Sequence, residues 1–358
     1  MGVKTQTVDA HTGAGNPGRG LPAVLPGLAL AVGIAIAATL AGRLVPVLGG
    51  PVAAIVLGVL LAALLKPGGR LLPGIGVAGR FVLQLSVVLL GSQLSLPQVA
   101  QVGLESLPVM LGTLAVCLAA AFWLGRLLGV TGDLRTLIGV GTGICGASAI
   151  AAATPVIGAV GADVAYAVST IFLFNVAAVV LFPLLGHLLG MSQHAFGLFA
   201  GTAVNDMSSV VAAATTFGPE AANYAVVVKL VRTLMIIPIC LGLSVLVARR
   251  ARIAAAVGEG AAAADTPRKP RLLRLVPWFL IGFVVVAALN SAGLVPAPVQ
   301  GPLREAATFM ITVAMAGVGL STNLRAFRRA GAKPLLLGGA LWVVVSLTSL
   351  GLQALSGS

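Results

Sequence analysis

GTGICGASAIAAATP, residues 141–155, is apolar enough to lie in a membrane, yet it is too rich in Gly, and too interrupted by Pro155, to form one unbroken spanning helix. Backbone left exposed at mid-membrane is tolerated only where it lines a cavity, so this stretch is expected to be a broken or re-entrant element. A half-helix starting near Gly146, Ala147 and Ser148 would point free N–H groups and its positive dipole end into that cavity, an arrangement that binds anions. Thr142 and Cys145 flank the break and join these three as candidate substrate contacts. The competing reading is close helix packing through small residues.

The surroundings agree with a membrane setting. Of 358 residues, 58% are hydrophobic and only 9% charged, and the mean hydropathy is +1.08, values no water-soluble chain shares. The apolar runs are long enough to cross about 30 Å of hydrocarbon as helices, and none alternates as a β-barrel strand does. The fold class expected is therefore an all-α polytopic membrane protein. A net charge of +13 raises nucleic acid as a partner, but aromatic residues make up only 5% and no basic, aromatic-interleaved face exists. Cys117, Cys145 and Cys240 all lie in apolar runs, where packing is the ordinary role. No enzyme signature of the HExxH, P-loop or GxSxG kind is present, the three histidines lack metal-ligand spacing, and no cofactor is expected.

Eleven apolar segments are legible, near 23–42, 48–65, 76–96, 106–129, 135–159, 163–189, 195–216, 221–248, 275–295, 302–321 and 333–355. Residues 1–20 read as a disordered cytoplasmic tail, 21–248 as a first membrane part of eight segments, 249–274 as a basic cytoplasmic linker and 275–358 as a second part of three. Eighteen of the 22 Lys and Arg residues fall in the tail and the even-numbered loops, which predicts a cytoplasmic amino end and an external carboxyl end. A shift of 226 lays 91–112 over 317–338 with seven identities, an odd number of segments apart, so the copies are inverted, a transporter architecture. A shift of 60 lays GTAVNDMSSVVAAAT (201–215) over 141–155. Full spans two apart would be parallel, in conflict with inversion unless one of them turns back.

The seventh segment also holds Asn205, Asp206, Ser208 and Ser209 within the membrane, and an intramembrane carboxylate is a functional candidate by default. Lys229 and Arg232, three apart on one face of the eighth segment, supply positive charge for an anion. Two structural alternatives stand beside this: Lys229 snorkelling outward as an anchor, and an Asp206–Arg232 pair locking two helices. Asn175 and Asn290 fit interhelical hydrogen bonding.

GTGICGASAI, NDMSSVVAA, KLVRTLMIIP and MAGVGLSTNLRAFRRAGAKPLLLG together resemble the YeiH-type sulfate exporter family (UPF0324-like), over about 20–355. The resemblance implies a bacterial inner-membrane secondary transporter, similar in architecture to bile-acid symporters and sodium/proton antiporters with crossed, broken helices. Where the family motif has His, an acid and Ala-Gln, this chain has Asn205, Asp206, Ser208 and Ser209, a departure bearing on substrate and on proton coupling. The function expected is transport of a small anion, sulfate or an organosulfonate-related anion leading, with Asp206 as a coupling-ion site for a proton or sodium ion. The partners expected are that anion, the lipid bilayer and a second copy of the chain in a homodimer. A cation/proton antiporter built on Asp206, and a passive channel or structural subunit, are the rival classes.

Overall fold

The computed structural model describes residues 21–44, 49–65, 68–130, 132–256, 278–322 and 332–356. The tail 1–20, linker residues 257–274 and residues 323–331 of the second repeat copy lie outside these. Among the described residues all regular structure is helical. In order these are α1 (Leu21–Leu44), α2 (Gly49–Leu65), α3 (Leu72–Val77), a π turn (Ala78–Val82), α4 (Leu83–Leu90) and a 3-10 turn (Gly91–Gln93). There follow α5 (Leu96–Leu127), α6 (Gly132–Gly143), α7 (Ala147–Ile157), α8 (Gly161–Leu188), α9 (Gln193–Ala203) and α10 (Met207–Phe217). The last are α11 (Pro219–Leu234), α12 (Ile236–Ala256), α13 (Trp278–Ser291), α14 (Ala297–Leu320) and α15 (Ala332–Ser356). Seven continuous stretches are long and apolar enough to cross a bilayer: 23–42, 72–93, 96–127, 161–188, 219–249, 297–320 and 332–356. The protein is thus a multi-pass helical membrane protein. Helix α12 continues to Ala256, through the first residues of the stretch read as linker.

Two pairs of short helices double back. Each of α9 and α10 has 11 residues, about 16 Å at 1.5 Å per residue and half of a bilayer core. Their outer ends adjoin: the Gln193 side-chain oxygen accepts from the Glu220 amide at 3.0 Å, and the rings of Phe196 and Phe217 stack at 4.0 Å. Helices α6 and α7 turn in the same way, with Asp133 and Thr136 at the start of one and Ile157 at the end of the other lining one groove. Helix α8, 28 residues long, separates the hairpins and carries the chain across, so they enter from opposite ends of the molecule. The α9 base lies beside Glu105 near the start of α5, through an ion pair with His194 at 3.9 Å, whereas Arg135 of α6 lies over Gly125 near the end of α5. The fifth segment, expected to be broken or re-entrant, and the seventh each form two short helices that fold back on one another. The breaks, 143 to 147 and 203 to 207, coincide under the shift of 60.

The linker does not divide the molecule. Helices α13 and α14, which follow it, pack on α1 to α4 in one apolar core, while α15 packs on α5, α6, α8 and α9. The first core is closed by glycines. A Cβ on Gly27 would fall 2.0 Å from the Leu71 carbonyl oxygen, and one on Gly319 2.5 Å from that of Ile55, so only hydrogen fits where these backbones cross. Helix α5 starts with a capping box, Ser95 and Gln98 each serving the other's backbone, which fixes the turn out of the 3-10 segment. It runs antiparallel to α15: Gly129 neighbours Lys333 and Gly112 neighbours Leu352.

Candidate functional site

The hairpin tips meet inside the protein. At the first tip the chain leaves α6 at Gly143 and re-enters helix at Ala147 through Gly146, whose φ of 70° and ψ of −131° suit glycine. A Cβ there would sit 3.1 Å from the Cβ of Asp206, which belongs to the second tip. The second tip turns without glycine. Val204, Asn205 and Asp206 form it, and Asp206 is the N-cap of α10: one carboxylate oxygen accepts from the Ser209 amide at 2.7 Å and the Ser208 hydroxyl at 2.5 Å. The other accepts from the Asn175 side-chain amide, and the Asn175 oxygen accepts from the Asn205 amide at 3.1 Å. Asn175 of α8 thus braces the second tip, the interhelical role read for it. Asn290 has the same kind of role, donating to the Leu94 carbonyl at 3.1 Å.

Helix α11 places a cation at each tip. Lys229 and Arg232 are both fully buried. Lys229 Nζ donates to the Val204 carbonyl at 2.6 Å and Arg232 Nε to the Gly143 carbonyl at 2.6 Å. These carbonyls end α9 and α6, where the helix dipoles are negative and the last C=O groups lack helical partners, so each cation caps a half-helix. Neither alternative from the sequence holds. Lys229 does not snorkel outward, and no Asp206–Arg232 pair forms, His194–Glu105 being the one ion pair among the described residues. The two terminal guanidinium nitrogens of Arg232 have no partner.

A cavity of about 170 Å³ opens onto the tips. Cys145, Ala147 and Ser148 from the first tip, and Asp206 and Ser208 from the second, line it together with Met207, Thr233 and residues of the third segment. Gly146, the N-cap of α7, offers no side chain to its first amides; the Cys145 side chain bonds the Ala149 amide, and Ala147 and Ser148 are exposed at the cavity. The α10 end is not equivalent. Its Ser209 amide is already used by Asp206, so Ser208 and Ser209 do not form a second free donor end. Thr142, Asn205, Ser209, Lys229 and Arg232 stand behind the lining, buried, with the Thr142 hydroxyl and the Asn205 side-chain oxygen unpartnered.

The sequence reading missed Arg80. It lines the cavity from the π turn between α3 and α4, a widened helical turn of the kind that recurs at functional sites. Its only signal was a lone arginine inside an apolar segment, which the cation census absorbed as a loop residue. Around the tips three basic side chains, Arg80, Lys229 and Arg232, gather near one carboxylate with its hydrogen bonds already made.

Known proteins match along nearly the whole chain. A family model described as Conserved hypothetical protein 698 matches residues 26–338. A UPF0324 membrane protein of Streptococcus pyogenes serotype M3 is 42% identical over 333 residues, 92% of this chain and 96% of the relative. Those of Streptococcus mutans serotype c and Fusobacterium nucleatum are 41% and 37% identical, each over 93% of this chain and 97% and 98% of their own lengths. No solved structure matches the chain. With two crossed half-helix tips at its centre and this similarity from end to end, the chain belongs to the UPF0324 family of membrane proteins.

Proposed function

We propose that the protein is a secondary transporter of a small anion, with sulfate or an organosulfonate as leading substrates, carried outward across a bacterial inner membrane. The observation that supports this best is the α7 N-terminus, with Ala147 and Ser148 exposed in a cavity that Arg80 lines and buried Lys229 and Arg232 back. Backbone donors from Ala147 and Ser148, the Ser148 hydroxyl and Arg80 would hold the anion. Lys229 and Arg232 act at longer range, lowering the cost of bringing negative charge to mid-membrane while fixing the tips.

The topology we infer keeps the eleven apolar segments but has nine of them cross and two double back. The amino end is cytoplasmic and the carboxyl end outside. Turning the two hairpins back moves only the short connections after α7 and after α8, which carry no Lys or Arg, so the cation distribution is unchanged. The antiparallel α5 and α15, and the two hairpins, are the surviving pieces of the inverted repeats.

A second reading draws on Asp206, the one carboxylate lining the cavity, as the ion-binding group of a cation/proton antiporter. Against it, both carboxylate oxygens already accept hydrogen bonds. Proteoliposome uptake of labelled sulfate under imposed proton or sodium gradients separates the readings. Gradient-driven sulfate accumulation supports the proposal. Movement of sodium or protons with no anion requirement supports the antiporter, and downhill leak alone a channel.

A further inference from the structure

Away from the central cavity, α5, α6, α7 and α12 leave a groove of about 650 Å³ between them. Its walls are apolar, with Leu118, Val140, Ile157, Ile239 and Leu243 among them. One end of the groove is polar and carries guanidinium groups. Arg135 lines it, its guanidinium carbon 5.2 Å from the centroid of the Phe122 ring, and Arg126 approaches the same ring at 5.4 Å. The placement is built in, because the Arg135 stem lies across Gly125, where a Cβ would meet its Cδ at 2.3 Å.

Two like charges drawn to one ring repel each other, and neither has a carboxylate within ion-pair distance, the one ion pair among the described residues lying at His194 and Glu105. Asp133 is the single acid lining the groove, at the start of α6. An apolar furrow with the Arg135 guanidinium at its end and Arg126 beside it on the same Phe122 ring complements a molecule with a long hydrocarbon chain and a phosphate. It does not complement a neutral lipid, which leaves the repulsion standing, nor free phosphate, which leaves the furrow unused. We propose that this groove binds an anionic diacyl phospholipid, its phosphate between Arg126 and Arg135 and one acyl chain along the apolar walls. The inference is independent of the transport reading.

Gly242, in the groove wall, offers a clean probe: a Cβ there meets nothing within 4 Å, so a large side chain enters the groove without straining α12. The experiment is native mass spectrometry of the full-length protein titrated with phosphatidylglycerol, phosphatidylcholine or inorganic phosphate. Phosphatidylglycerol is expected to bind at least tenfold tighter than phosphatidylcholine. Arg126→Gln with Arg135→Gln should abolish that preference, Arg126→Lys with Arg135→Lys should keep most of it, and Gly242→Phe should remove the bound lipid. Equal binding of the two lipids overturns the proposal, as does a preference that survives the double glutamine variant in a folded protein. So does inorganic phosphate displacing the lipid at matched concentration, or Gly242→Phe leaving lipid in place while splitting a dimer, since the groove would then belong to a second copy.

Discussion

Replacing Gly146 by Ala tests the meeting of the two tips. At φ 70° and ψ −131° a side chain is strained by ~1–3 kcal/mol, in a region populated essentially by glycine. The new methyl also falls 3.1 Å from the Asp206 Cβ and 3.5 Å from an Ile171 methyl, overpacking of the kind that costs about 1–3 kcal/mol. Gly158 is the control. It has nearly the same φ, 68°, in the ordinary left-handed region, and a Cβ there meets nothing within 4 Å, so Gly158→Ala carries only the ~1–2 kcal/mol backbone cost. Relief of the clash at Gly146 requires the tips to part, displacing Ala147, Ser148 and Asp206 relative to one another. Detergent-solubilised variants compared by thermal unfolding, and by sulfate uptake in proteoliposomes, should show Gly158→Ala near wild type in uptake. Gly146→Ala should be the less stable of the two and lose tenfold or more of its uptake. Indistinguishable variants in both assays would refute the idea that contact between the tips organises the site.

Arg80→Gln should lower sulfate affinity ten- to a hundredfold, from loss of a charge-assisted contact of about 1.5–3 kcal/mol, with little change in unfolding temperature because Arg80 is exposed in the cavity; isothermal titration reads it. Asp206→Ala should destabilise the protein by about 0.5–2 kcal/mol through loss of the α10 cap, whereas Asp206→Asn keeps an acceptor, so sulfate binding should survive or strengthen; loss of binding in a folded Asn variant contradicts the anion reading. Arg232→Ala should leave the Gly143 carbonyl without its 2.6 Å partner and cost more stability than Arg80→Gln, seen as a lower unfolding temperature. Single cysteines at Ser95 and Ser192 in a cysteine-free background should label from the same side of the membrane and Gly161→Cys from the other; opposite labelling of Ser95 and Ser192 would mean that α6 and α7 cross after all.

Much of this was legible in the residues, and what was not has identifiable reasons. Run length and composition gave the helical membrane class, because hydrocarbon leaves a backbone few ways to satisfy its hydrogen bonds. The Gly-rich stretch placed the first break at the right residues, since Gly146 takes a φ of 70° that few other residues adopt. The doubling back was hidden: a hairpin of two half-length helices and a broken full span have the same hydropathy and total length, and only the contacts of Gln193 with Glu220 and of Phe196 with Phe217 tell them apart. Asp206 was singled out as an intramembrane carboxylate; it is half-buried, lines the central cavity, and does not pair with Arg232. The sequence suggested the nearest opposite charge, Arg232, and the fold instead uses local geometry, an N-cap three residues from Ser209, plus Asn175 from another helix. Lys229 and Arg232 were assigned to the substrate because carbonyl acceptors leave no trace in a sequence, every residue having one.

Lys229 and Arg232 also limit how the centre can move. Three residues apart on α11, they are separated by about 4.5 Å along the helix axis, and each grips the inner end of a different hairpin. Sliding α11 by half that distance stretches both bonds beyond use at once or drags both tips along, and releasing either leaves a bare cation in a low-dielectric interior. The hairpins therefore behave as two jaws on a single shaft. A ligand that wedges beneath one of them and shifts it would pull on the other through α11.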